Sequence, residues 1–121
     1  MSAPRKATLA PFVGTWYGHT RGLIIARNGV AKESIGDGCC DPIIDLKLRL
    51  SHPRGTSLNA TVTARVTAVQ VHNVSAFTHT NPAPHVGEVR RFRLSDGVIT
   101  EPVTNTNYCD MAADLRGTCG A

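Results

Sequence analysis

The chain has 121 residues, 41% hydrophobic and 18% charged, which fits one globular domain and excludes a disordered chain. Its net charge of +4 permits association with acidic surfaces. The densest basic cluster, Arg90, Arg91 and Arg93, has Phe92 as its one aromatic neighbour, so no stacking platform for nucleic acid is expected. No stretch reaches the ~20 apolar residues of a membrane span.

Residues 1–11 carry two prolines and two basic residues without periodicity, and read as a flexible lead-in to a single domain over 12–121. The segment Met1–Ala7 is too polar for a signal peptide. It reads as the mature start of a secreted or cell-envelope protein whose export signal belongs to the precursor. With aromatics at 5%, the core has to be filled by Val, Ile, Leu and Ala, which predicts a narrow or partly empty interior.

Val13–Thr20 is β-branched and aromatic, as strands are. A second strand, Leu23–Arg27, meets a third, Val30–Ile35, across Asn28-Gly29, where a type I′ turn is expected because both residues tolerate positive φ. Residues 36–42 form an irregular corner. Ile44, Leu46, Leu48 and Leu50 then alternate with Asp45, Lys47, Arg49 and Ser51, the period of a half-buried strand. A turn is expected at 51–55. Leu58, Ala60, Val62, Ala64, Val66 and Ala68 continue the alternation, after which apolar parity moves to Val69 and Val71, as at a β-bulge. Residues 77–85 form a polar, proline-bearing loop. Val86–Leu94 and Val98–Thr104 pair across Ser95-Asp96-Gly97, and Asp110 caps a helical turn that stops at Gly117. The fold class is all-β: a single antiparallel barrel of about seven or eight strands, calycin-like, with one short C-terminal helical turn. A sandwich is the alternative.

Four cysteines, Cys39, Cys40, Cys109 and Cys119, lack the C-x2-C spacing of zinc sites or redox motifs and read as two structural disulfides. A Cys39–Cys40 bridge would close an eight-membered ring with a distorted peptide. The expected pairings are therefore Cys39–Cys109 with Cys40–Cys119, or Cys39–Cys119 with Cys40–Cys109. Each bridge would close a loop of ~70–80 residues and contribute about 4 kcal/mol.

The run Phe12-Val13-Gly14-Thr15-Trp16 resembles the opening of lipocalins and fatty-acid-binding proteins, whose Gly-x-Trp element lies on the first strand with the Trp plugging one end of the barrel. The resemblance implies a ligand-holding barrel. It stops short of the fatty-acid-binding proteins' helix-turn-helix lid and of their Arg-x-Tyr carboxylate clamp near the C-terminus. The Cys-Cys-Asp-Pro corner and the closing Tyr-Cys-Asp…Gly-Thr-Cys-Gly-Ala resemble small exported proteins of actinobacteria.

The candidate ligand-binding interior comprises Trp16, Leu46, Leu48, Ala60, Val62, Ala64, Val66 and Phe92. His72, His79 and His85 could meet around the 77–85 loop but lack a ligand register, so no metal site and no cofactor are expected. Glu33, Asp37, Asp41 and Asp45 gather near the cysteine corner, with Glu101 and Asp110 able to approach. Turn chemistry accounts for them better than an acid–base pair, and no catalytic residue is expected. There is no Gly-x-Ser-x-Gly elbow or phosphate loop, and the glycosylation-type triplets at Asn59 and Asn73 read as chance. The sequence points to a secreted monomeric barrel that binds a small apolar or amphipathic ligand. The alternative is an extracellular protein-interaction module without an internal pocket, using Arg65, Arg90, Arg91 and Arg93 or the 77–85 loop. A small barrel enzyme ranks third.

Overall fold

A computed structural model of the chain describes residues 7–37 and 41–119. Its strands are β1 (Gly14–Gly18), β2 (Arg21–Ile25), β3 (Val30–Asp37), β4 (Asp41–Gly55), β5 (Asn59–Val71), β6 (Val89–Ser95), β7 (Val98–Glu101) and β8 (Thr106–Cys109), followed by the helix α1 (Met111–Leu115). Each strand pairs with the next, and β8 returns to β1, so the sheet closes as an eight-stranded barrel. Every pairing is antiparallel. Closure leaves the sheet without a terminal strand, the edge a small all-β chain otherwise has to protect.

Period-2 alternation decides what fills the barrel. Leu23 and Ile25 on β2, Ile44 to Leu50 on β4, Ala60 to Val66 on β5, and Phe92 and Leu94 on β6 face one continuous core with Trp16, Ile99 and Tyr108. The parity change on β5 is a bulge. Lys47 lies opposite Ala68 and Leu48 opposite Val66, which leaves Thr67 as the extra residue and lets Val69 and Val71 point back inward.

A 3-10 turn, Ala10–Phe12, closes the end of the barrel where β1 begins. Phe12 is fully buried, and its carbonyl accepts a 2.8 Å hydrogen bond from Trp16 Nε1. The Gly-x-Trp strand thus carries its Trp into the core with its one polar atom satisfied. Leu9 packs on the same core, which Phe12 seals.

Two turns differ from the sequence expectation. Between β2 and β3, Gly29 N–H donates to Ala26 O at 3.0 Å and Ala26 N–H to Val30 O at 2.9 Å, with Gly29 alone at positive φ (+88°). This is a three-residue loop, a type I turn ending in a left-handed glycine, in place of the type I′ turn. The type I′ pattern occurs at Asp96-Gly97, where both residues have positive φ, 51° and 74°, between paired Ser95 and Val98. At 51–55 the chain does not turn: β4 runs on through a register shift between Ser51 and Arg54, with His52 at φ 54°, and reverses after Gly55.

The helical turn forms as expected. Asp110 Oδ1 accepts from Ala113 N–H at 2.8 Å, and Gly117 has φ 77°. The disulfide pairing is corrected. Cys109 bonds to Cys119, with Cα atoms 6.0 Å apart, and this excludes both pairings to the 36–42 corner. The reason is local: α1 and the reversal at Gly117 fold the nine intervening residues back on themselves, so the partner of Cys109 comes from its own segment. Cys39 and Cys40 lie outside the described residues.

A loop this short removes less unfolded-state entropy than a long one, so reducing Cys109–Cys119 should cost about 3 kcal/mol by the chain-entropy estimate. Peptide mapping under non-reducing conditions should recover the two cysteines linked within the C-terminal stretch. Urea unfolding of a Cys109→Ser/Cys119→Ser variant gives the stability loss.

Candidate functional site

The eight proposed interior residues do lie inside the barrel, between 0% and 5% exposed, within one packed cluster. The clefts among the described residues are lined mostly by other side chains. Of the eight, Leu46 borders an outer groove and Val62 a small pocket on the wall. The apolar interior is a packed core, and the chemistry gathers at the end opposite Phe12, where β2, β4, β6 and β8 begin.

Toward that end polar side chains take several inward positions among apolar ones such as Ile35, Ile44 and Val71. Glu33 on β3, Arg90 on β6 and Tyr108 on β8 occupy the same inward parity as the apolar residues next to them on their strands. They are 2%, 6% and 0% exposed. Arg90 Nη1 donates to Glu33 Oε1 at 3.2 Å, and the Tyr108 hydroxyl donates to Glu33 Oε2. Arg90 also donates to Glu88 Oε2 through Nε at 2.9 Å. Three strands that are not neighbours in the sheet therefore meet across the lumen through one carboxylate. Both of its oxygens are occupied, which a buried charge requires.

This corrects one expectation directly. Arg90 does not belong to the exposed basic face. The alternation of β6 sends Arg90, Phe92 and Leu94 inward and leaves Val89, Arg91 and Arg93 outside. Burial, and then the charge of Glu33, push the Tyr108 hydroxyl far above the ordinary tyrosine range.

Above this floor, Arg21 at the start of β2 donates through Nη1 to Thr106 Oγ1 at 3.1 Å. Glu101 is 2% exposed and serves the β7–β8 connection, accepting from the backbone N–H groups of Val103 at 2.9 Å and Thr104 at 2.7 Å. Two clefts flank Arg21 and share it with Thr20. One, of about 580 Å³, includes Gly18, Ser34, Ile35, Pro42 and Asp45 in its lining. The other, of about 300 Å³, is lined by His19, the 104–107 connection and Cys119.

The remaining candidates are dispersed. His72 Nε2 meets Asp45 Oδ2 at 2.8 Å, and this hydrogen bond holds the Asp45 carboxyl below its usual range although burial works against it. His85 lies 3.7 Å from Glu88, and His79 is exposed in the loop. No group of three or more His, Cys, Asp or Glu placed to hold a metal occurs among the described residues. Asp37 and Asp41 face each other across the β3–β4 pairing, and Asp110 caps α1, so the six carboxylates do not form one cluster. The sequence signal that could have exposed the polar floor was Glu33 and Arg90 standing at inward positions of otherwise regular strands.

No protein-family model, curated protein or solved structure matches the chain.

Two predictions follow from the buried cluster. Arg90→Met leaves Glu33 charged and half-paired, and should cost about 3–5 kcal/mol in urea unfolding. Adding Glu33→Gln should recover most of that loss, because the amide still accepts from Tyr108 without a buried charge. Tyr108, raised in the folded state, keeps its proton where the unfolded chain loses it, above pH about 10. Stability is therefore unaffected below that pH and falls above it, by about 1.4 kcal/mol per pH unit for this group. Unfolding midpoints measured from pH 9 to 11 should fall less steeply in Tyr108→Phe, which has its own pH-independent loss of about 1–3 kcal/mol.

Proposed function

We propose that the protein is a secreted binding module that takes a small amphipathic ligand at the polar end of its barrel. The closed eight-stranded barrel is compatible with a calycin-like scaffold, and the Cys109–Cys119 bridge with an oxidising compartment. The observation that carries the reading is Arg21, placed between two clefts at the rim with a guanidinium partly engaged by Thr106. Ile35 and Pro42 offer apolar contact on one side, while the 104–107 connection offers hydrogen-bonding groups on the other. Such a site suits a molecule with an apolar body and a carboxylate or other oxyanion, which Arg recognises in a fork geometry.

The packed interior moves the site to the mouth. It also makes Trp16 a poor reporter, since its indole is buried and bonded to Phe12 at the closed end.

A library of amphipathic carboxylates screened by amide chemical shifts tests the proposal. Saturable shifts centred on Thr20, Arg21, Gly22 and Gly36, weakened about tenfold or more in Arg21→Met, are expected for a lost charge-assisted contact. Shifts that avoid these residues, or that persist unchanged in Arg21→Met, would overturn it.

A further inference from the structure

The outer wall formed by β3, β4, β5 and β6 carries a concentration of positive charge. Cross-strand register places Lys32 directly opposite Lys47, and Arg49 directly opposite Arg65. Opposed residues in a β-ladder project from the same face with their Cβ atoms about 4.5–5.5 Å apart, so both are like-charge pairs that work against the sheet. Arg54 and Arg93 flank Thr61 on its two sides, and Arg91 lies opposite Thr63. All seven cations are exposed. None of them enters an ion pair among the described residues. The nearest carboxylate on this wall, Asp45, is engaged by His72. Within the field a pocket of about 170 Å³ is lined by His52, Arg54, Thr61, Thr63 and Arg91. Its guanidinium, imidazole and hydroxyl groups suit a single oxyanion.

From this arrangement we propose that the wall binds an acidic polysaccharide, a linear chain bearing repeated carboxylate or sulfate groups. Charge complementarity sets the sign of the partner, and two destabilising like-charge pairs set side by side are relieved only by anions laid along them. The rest of the wall chooses among polyanions. The strand residues between Lys32 and Arg93 that face outward include no Phe, Tyr or Trp, so single-stranded nucleic acid finds no stacking ladder there. The wall presents no helix or ribbon to enter a duplex groove. Val89 is its one large exposed apolar residue, which is too little to anchor in a bilayer. Ser51, Thr61 and Thr63 stand between the cations and supply hydroxyls to a sugar chain. The inference is independent of the mouth, since Arg21 lies outside this wall.

The experiment uses the full chain with four probes: polygalacturonate, dextran sulfate, a duplex DNA oligomer and phosphatidylglycerol vesicles. At least one polysaccharide should bind saturably and more tightly than DNA or vesicles, with affinity falling as salt rises through counterion release. Lys47→Glu/Arg49→Glu puts a carboxylate opposite Lys32 and Arg65, turning both repulsive pairs attractive. It should raise the melting temperature while weakening polysaccharide binding about tenfold or more, as expected when several counterion-releasing contacts are lost. Met111→Glu/Leu115→Glu/Arg116→Glu makes the same change in net charge at α1, which packs on β1 and β8 away from the wall, and should leave binding within about threefold. The proposal fails if the off-wall variant loses as much affinity, if DNA or vesicles bind at least as tightly, or if neither polysaccharide binds. A binding loss accompanied by a lower melting temperature would also overturn it, because the wall pairs would then not be repulsive.

Discussion

The contact on which the rest of the barrel depends is the bridge from Glu33 across the lumen to Arg90 and Tyr108. Ladder hydrogen bonds join only neighbouring strands and would tolerate a slip of register. A buried carboxylate with both oxygens engaged does not. Moving β3, β6 or β8 by one residue would turn a charged or phenolic group outward and leave its partners unpaired in a dry interior, at a cost comparable to much of a small domain's stability. Apolar packing decides that the chain collapses, and this polar crossing fixes which strands face one another when it does.

The same crossing divides the barrel. Toward Phe12 the interior is hydrocarbon, sealed by the 3-10 turn and the Trp16 hydrogen bond. Toward Arg21 buried hydrogen-bonding groups such as Glu101 and Thr106 join Ile35, Ile44 and Val71, and open clefts lie alongside. In the proposed function, a ligand would meet Arg21 and residues 104–107 before the core. The outer wall is a separate surface, shaped by what faces away from the same strands. Phe92 and Leu94 fill the interior because Arg91 and Arg93 do not, so the apolar core and the cationic field are two readings of one alternation.

Much of the fold was legible in the residues for this reason. The Ile44-to-Leu50 and Leu58-to-Ala68 patterns gave the long central strands, the parity shift near Ala68 marked the bulge at Thr67, and Asp110 with Gly117 bracketed the helix. What failed had physical causes. Arg90 looked like part of a solvated cluster because three arginines stand within four positions, yet strand parity separates it from the other two. Asn28-Gly29 satisfied the preference for a type I′ turn, but the register of Ala26 with Val30 leaves room for three loop residues. The bond between Cys109 and Cys119 was hidden because sequence spacing does not show a helix folding its own segment back. The mouth was invisible because it is assembled from distant segments: the β2–β3 pairing sets Arg21 beside Ser34, but Thr106 reaches Arg21 only by closure.

That closure rests on a narrow join. β1 and β8 meet in a single registered pair, Tyr17 opposite Cys109, whereas β4 and β5 share a ladder running most of their length. α1 packs against both strands of the join, and the disulfide fastens the chain just beyond it to the end of β8. The cylinder therefore has a zip: its first and last staves are the ones that part most readily, and the C-terminal clip is the catch. Breathing of the native state is expected to begin along this line, where the ladder is shortest, and to uncover Tyr108 before the long strands on the far side loosen.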